Sequence, residues 1–477
     1  MKQRTKVALA TGSFGGSEMV SKTPRLPAAK ATAARPMKPS GIPWLGDVPG
    51  GWGTCRVGYL MEEINRRSAD GKEEPLSMSQ KLGIVPSREI EVANPASSYV
   101  GAKIVAPGDL VLNKLKAHLG VFAISKYDGV VSPDYSVYRV NDDVSASYLN
   151  YLFHTPVCIS EFRRRITGVA VGFNRLYTSE FFKIQVPLPP LPEQRAIAER
   201  IDCEVARVDA LRDKIKCEIE RLGDYKKSLI AEMVAGRIAS ATGSFGGLEI
   251  DSKYSQTPRL PAAKATAARP MKPSGIPWLG DVPAEWEVTR IGYLATRKTP
   301  KYAPEEELLS VFLDRGVIRF ADGGSKRANV ASGDFSKYQL VEPGDFVLNN
   351  QQAWRGSVGV STYRGIISPA YLILKTKPVV DAVYANYLFR SRPLVALYEQ
   401  CSHGVGSIQR NIYWDELRVQ KIPFPPLPEQ REIAEYLDRT VSRIDAVVAR
   451  RKAQLEKLES FKRSLIQEYV TGKREVC

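Results

Sequence analysis

Apolar residues recur at alternating steps of four and three along two stretches of this chain. The first stripe is Ile201, Val205, Val208, Ile215, Ile219, Leu222, Leu229 and Met233. The second is Leu437, Val441, Ile444, Val448, Leu455, Leu458, Leu465 and Tyr469. Such spacing keeps one face of an α-helix apolar, and sustained over roughly four heptads it predicts a coiled coil. Arg212 and Lys226 interrupt the first seam, Arg451 and Lys462 the second. Pro192, followed by Glu193, marks the start of the first helix, because proline suits the first turn and a carboxylate suits the helix N-terminus. Gly236 and Gly472 stand at matching ends as candidates for the left-handed position past the last turn. A helix of about 44 residues is roughly 66 Å long.

The pattern upstream of each stripe is different. Short β-branched runs such as GDLVLN (108–113) and GVVSPDYSVYRV (129–140) alternate with turn residues, and SYLNYLF (147–153) has helical patterning. This mixture predicts a compact α+β head of roughly 145 residues before each helix. Further upstream, about 17–40 and 248–274, the chain is rich in Ala, Pro, Lys and Thr. That composition buries no core, so a flexible basic linker is expected there.

The whole pattern occurs twice. TPRLPAAKATAARPMKPSGIPWLGDVP at 23–49 recurs letter for letter at 257–283, and ATGSFGG at 10–16 recurs at 241–247. Weaker matches follow: GDLVLN with GDFVLN (344–349), VSPDY with ISPAY (367–371), YLNYLF with YANYLF (384–389), and VPLPPLPEQRAIAERID (186–202) with IPFPPLPEQREIAEYLD (422–438). The expected organisation is an N-terminal linker segment (1–40), head one (41–190), a central long helix (191–236), a basic linker (237–274), head two (275–426) and a C-terminal long helix (427–473). An exposed apolar stripe needs a partner, and the other copy supplies one. The expected fold class is therefore α+β: two globular heads plus two long helices packed as an antiparallel coiled coil, with a pseudo-two-fold internal repeat. The two chain ends are expected to lie close together.

Charge narrows the function. The chain carries a net +16, which favours a polyanionic partner; the bland alternative is solubility alone. No run of 18 apolar residues exists, so no membrane-spanning helix is expected. The apolar stretch Val7–Ala10 is too short for a signal peptide, and a cytoplasmic protein is expected. Six scattered cysteines without a CxxC pair, and three histidines, predict neither a disulfide framework nor a metal site. The linker stretch TPRLPAAKATAARPMKPS is identical in the two copies while the head interiors diverge: EEPLSMSQKLGIVPSREIEVANPAS faces EEELLSVFLDRGVIRFADGGSKRANVASGDF. A duplicated scaffold with altered heads suggests two related but distinct ligands. For a basic protein these are two short DNA sequences, giving an asymmetric split site with an unread spacer.

KPSGIPWLGDVP, with a tryptophan following shortly after, opens each head; PLPPLPEQ closes it; an IAExxD heptad helix follows. Together, and over nearly the whole chain twice, these resemble the specificity subunit of type I restriction-modification systems. The resemblance implies that each head is a target-recognition domain reading one half of a bipartite duplex site. It implies a coiled coil that sets the spacer and docks two modification subunits, which transfer methyl from S-adenosylmethionine to adenine. ATP-driven restriction subunits would join them. S-adenosylmethionine, ATP and Mg would be bound by those partners, and this chain would carry no cofactor and no catalytic group. In keeping with that, the sequence has no GxxxxGK[ST] phosphate loop and no Asn-Pro-Pro-aromatic tetrapeptide, and Pro133-Asp134 is an isolated pair that reads as a turn. A coiled-coil scaffold whose heads bind proteins, and an RNA-binding module, are the competing classes. The clustered aromatics of single-strand readers are missing.

Base readout needs Arg, Lys, Asn, Gln, Ser or Thr at groove edges, and phosphate contacts need mainly Lys and Arg. Two regions per head qualify. One follows GD[LF]VLN: Lys114, Lys116 and His118 in head one; Asn350, Gln351, Gln352, Trp354 and Arg355 in head two. The other precedes the final strand: the glycine-flanked 168–172 with Asn174 and Arg175 in head one; Ser402, His403, Ser407, Gln409 and Arg410 in head two. A solvated turn is the plain alternative for each. Arg163, Arg164 and Arg165 read as a solvated helix face or at best as phosphate contacts, and Tyr135 and Tyr371 as core.

Overall fold

The computed structural model describes residues 35–476, except 81, 91–97, 168–174, 238–268, 278, 300, 314, 324–333 and 405–409. The chain divides into two compact units: Met1–Val205 with Phe461–Cys477, and Ala206–Ser460.

In the first unit the head is built on a four-stranded antiparallel sheet, ordered Met61–Ile64, Tyr135–Val140, Leu110–Asn113, Phe122–Ile124. Val137 lies opposite Ile64 on one side and Val111 on the other. Side chains alternate between faces along a strand, and here both faces are covered. Leu110, Leu112, Phe122 and Tyr138 enter the main core with the helices Ala146–Phe153 and Pro156–Arg165. Val111, Ala123 and Val137 enter a smaller core under the hairpin Leu76–Ser79/Gly83–Pro86. Double burial is why GDLVLN reads as a continuous apolar run rather than an alternating one. Ser145 and Thr155 cap the two helices by accepting from Tyr148 N and Cys158 N. The strand that closes the head, Gln185–Leu188, pairs with the strand that opens it, Gly53–Arg56, and the chain then enters the first long helix, Leu191–Val234.

The second unit repeats this plan. Its sheet runs Ala295–Arg297, Tyr371–Thr376, Asp345–Asn349, Val358–Val360. Phe346, Leu348 and Leu374 enter the main core, and Val347 and Ile373 enter the smaller one. Lys421–Phe424 pairs with Glu287–Arg290 and leads into the second long helix, Leu427–Val470.

Each unit contains antiparallel stretches of the two long helices. In the first, Ile197 and Ile201 share the head core with Leu465, Tyr469 and Val470, and Arg200 Nε donates to Tyr469 Oη at 3.2 Å. In the second, ion pairs join Arg212 to Glu459, Glu218 to Arg451 and Lys226 to Asp445. As the numbers rise in one helix they fall in the other. Three of the cations that interrupt the heptad stripes are therefore partners across the helix pair. Exposed pairs of this kind contribute about 0–1 kcal/mol each, so they fix register more than they stabilise. Gly236, at φ +71°, ends the first long helix. Its N–H donates to Met233 O and that of Arg237 to Glu232 O, a Schellman closure.

One expectation is corrected. Residues 35–40 and 269–274 fall within the stretches whose composition predicts flexible linkers. Instead, Met37–Pro39 pairs with Asp47–Pro49, and Met271–Pro273 with Asp281–Pro283. Arg35 meets both carboxylate oxygens of Glu193; Arg269 meets both of Glu429, at 2.6 and 2.8 Å. The fork of a guanidinium matches a carboxylate in two bonds, and that pair ties each segment to the first turn of its head's long helix. The remaining linker residues, Arg237 apart, lie outside the described residues. No described helix is long and apolar enough to cross a membrane.

Candidate nucleic-acid interface

The same short loop follows the central strand in both heads. Asn113 Oδ1 accepts from the N–H of Leu115 and Lys116 at 3.1 and 3.2 Å, which turns the chain out of the sheet. A single 3-10 turn, Ala117–Leu119, follows and is closed by Gly120 at φ +76°. In head two Asn349 Oδ1 accepts from Gln351 N, the 3-10 turn is Ala353–Arg355, and Gly356 at φ +93° closes it. Ala117 and Ala353 are fully buried and anchor the loops. The backbone is thus constant, while KLKAHL at 114–119 faces NQQAWR at 350–355.

The second candidate region joins this loop through the main chain. Leu176 N donates to Lys114 O at 3.0 Å, and Ile412 N to Asn350 O at 3.1 Å. Thr167 pairs with Arg175, and Ser402–His403 with Asn411–Ile412. The described residues of the two regions therefore adjoin in each head. Asn174, Ser407, Gln409 and the glycine-flanked 168–172 lie outside the described residues.

In head one, Lys116 is exposed, and Lys114 and His118 are half-buried. Burial first, and then the charges of Lys103 and Arg175, push the Lys114 ammonium below the ordinary lysine value, while Glu63 and Asp134 act against this. Arg175 donates to Asp134 at 3.3 Å. The arginine run is not a simple solvated face. Arg163 Nε donates to the His118 carbonyl at 3.1 Å and so supports the loop, and Arg165 pairs with Glu161 and Glu180. Beneath the loop lies a feature that sequence spacing did not reveal. Lys103, buried, has its ammonium 3.4 Å from Glu63 Oε1, which also accepts from Ser136 Oγ at 2.8 Å. The two partners are 40 residues apart in the chain, so no local pattern signals them.

In head two the loop is organised around Trp354. Its Nε1 donates to Gln351 O at 3.0 Å. The guanidinium of Arg355 lies 4.5 Å from the ring centroid and that of Arg410 lies 5.2 Å from it. Cation–π contact with one ring holds two guanidiniums that come from the two different regions. Arg410 also reaches Glu399 at 3.3 Å. Gln351 is exposed and Gln352 half-buried. Ser402 is not available for readout: it is buried and donates to Tyr398 O at 2.6 Å. His403 is exposed but engaged, 2.7 Å from Glu416. Guanidiniums and amides of this kind suit guanine and adenine edges or phosphates.

A model of the type I restriction modification DNA specificity domain matches residues 70–221 and again 283–457, more than half of the chain. The type I restriction enzyme MjaVIII specificity subunit of Methanocaldococcus jannaschii is 24% identical over 90% of this chain and 94% of its own length. The putative MjaX specificity subunit of the same organism is 23% identical over 77% of this chain and 79% of its own length. A solved chain from work on complex assembly and conformational transition of the type I R-M system shares the fold. It has a TM-score of 0.61 and 17% identity, covering 90% of this chain and 99% of that one.

Proposed function

Because the chain belongs to the type I restriction modification DNA specificity family, we propose that it is the DNA-reading subunit of such a system, each head recognising one half of an asymmetric bipartite duplex site. The observation that carries this reading is the pair of loop surfaces. One backbone scaffold is used twice, and it presents Lys114, Lys116, His118 and Arg175 in one head and Gln351, Gln352, Trp354, Arg355 and Arg410 in the other. Equal scaffolds with unequal donors suit two different half-sites. Lys114, Lys116 and Arg175 suit phosphates and guanine edges, while Gln351 and Gln352 suit adenine edges. Asn174, Ser407 and Gln409 belong to the same assignment by position.

In this reading the long helices dock two modification subunits and set the spacer, and restriction subunits complete the assembly. Adenine methylation and ATP-dependent cleavage, with S-adenosylmethionine, ATP and Mg, belong to those partners, and this chain acts by positioning them. The test is methylation sequencing of a host expressing the chain with its modification subunits. The expected result is one split motif, bound by the purified complex far more tightly than scrambled duplex. Equal affinity for the two at moderate salt overturns the reading, since non-specific binding alone would then account for the affinity.

A further inference from the structure

A pocket of about 170 Å³ opens beside the edge strand Ala295–Arg297 of head two. Arg297, Lys298, Tyr302, Lys337, Gln339 and Tyr371 shape it, and no carboxylate among the described residues lines it. Its three cations differ. Lys298 is held by Glu342 at 2.7 Å and Asp345 at 2.5 Å, so its charge is matched. Arg297 and Lys337 are exposed and form no ion pair among the described residues. Lys337 acts at longer range on Asp334, whose carboxylate accepts from Ser336 N at 2.9 Å. Gln339 is fixed in place, its Nε2 donating to Tyr371 O at 3.0 Å and Ser368 O at 3.4 Å. Two cations with no ion-pair partner among the described residues, at a concave and partly rigid surface, suit an anion.

The pocket also adjoins the reading loop. Asn350 N donates to Ala370 O at 3.2 Å, and Asn349 Nδ2 lies 3.5 Å from Tyr371 Oη. The turn around 368–371 is therefore shared between loop and pocket. The matching positions of head one carry a different charge pattern. Glu63 stands where Arg297 does, each opposite the matching residue of the neighbouring strand, Tyr138 or Leu374. Lys103 stands where Gln339 does, bridged to Arg67 as Gln339 is to Tyr302. There the lysine is buried on the glutamate, and the charge is spent internally.

We propose that the pocket takes one phosphate of the duplex backbone, with Arg297 and Lys337 supplying the charge, so that head two is anchored by a contact head one does not make. This rests on the DNA-reading function above. The test uses the complex with its modification subunits and duplexes carrying the motif that methylation sequencing yields. Arg297→Ala should weaken cognate and scrambled duplex by the same factor, roughly five- to ten-fold at low salt, and reduce the salt slope by about 1. Arg297→Lys should retain most of the affinity. One neutral methylphosphonate in the head-two half-site should weaken the wild type as Arg297→Ala does, and add nothing in that variant. Free inorganic phosphate should compete only weakly. Unchanged affinity and slope in Arg297→Ala, with the wild type still preferring its motif, overturns the pocket and leaves the function standing. An altered motif makes Arg297 a base reader and overturns it too. Equal losses in the alanine and lysine variants make the role structural. A wild type that prefers no duplex overturns the function itself.

Discussion

Glu63 shows how a single carboxylate ties together strands of head one that are distant in the chain. Burial acts to raise its pKa, but hydrogen bonds from Thr178 and Ser136 and the charge of Lys103 prevail, and the carboxyl sits below its ordinary value. A depressed carboxylate contributes stability that is present above its unfolded-state pKa and lost as pH falls through the folded one. Glu63→Gln removes that contribution and leaves the buried Lys103 ammonium without its counter-charge, a change that destabilises strongly. The melting temperature of the variant should therefore lie well below that of the wild type at neutral pH. The gap should narrow as pH falls through the lowered pKa of Glu63, where the wild-type carboxylate protonates as well. A gap constant across that range would mean that ionisation of Glu63 does not matter. This pair was illegible in the sequence, because a lysine between Ala102 and Ile104 reads as an exposed strand position. Ser402 failed in the opposite direction: its residue type suited base readout, but a buried bond to Tyr398 O consumes it.

The helical elements were the most legible, because a heptad stripe reports directly on which face is buried. Ile201, Ile215, Leu229 and Met233 are all nearly inaccessible. The charged interruptions were harder to read, since their partners lie on the other helix more than 200 residues away. The ends of the linkers were misread because composition averaged over a whole Ala/Pro/Lys stretch hides the point at which one arginine finds one glutamate. Helix ends give a sharper prediction. At Gly236 a Cβ would sit 2.5 Å from Pro283 Cδ and 3.1 Å from Trp286 Cη2, at a φ that disfavours side chains. Gly236→Ala should destabilise by about 1–3 kcal/mol, lowering the melting temperature by several degrees. Gly223 lies inside the same helix with nothing within 4 Å of its Cβ position. Gly223→Ala should raise stability by about 0.5–1 kcal/mol. Thermal melts of both variants decide it: if the two move the melting temperature the same way, packing against the SGIPWLGDVP segment is not what requires glycine at position 236.

At the scale of the whole molecule the duplication was plain in the sequence, but what each copy recognises was not, because base preference depends on side-chain geometry rather than residue type. The structure sharpens this into a separable problem. Both loops start from an asparagine turn, hang on a buried alanine and close on a left-handed glycine. The six residues between the asparagine and the glycine are therefore exchangeable on a fixed frame. A chain carrying KLKAHL in place of NQQAWR at 350–355 should keep its melting temperature within a few degrees, since the buried alanine is retained. It should lose the Trp354 ring that holds Arg355 and Arg410, and with it about 1–3 kcal/mol of discrimination per base pair read. Arg410→Ala, which leaves the loop itself intact, should relax the motif at fewer positions. Methylation sequencing of hosts expressing each variant should show one half of the split motif altered or degenerate and the other half unchanged. Loss of both halves at once would mean that the loops hold the assembly together rather than read DNA. An unaltered motif would place base readout elsewhere on the heads.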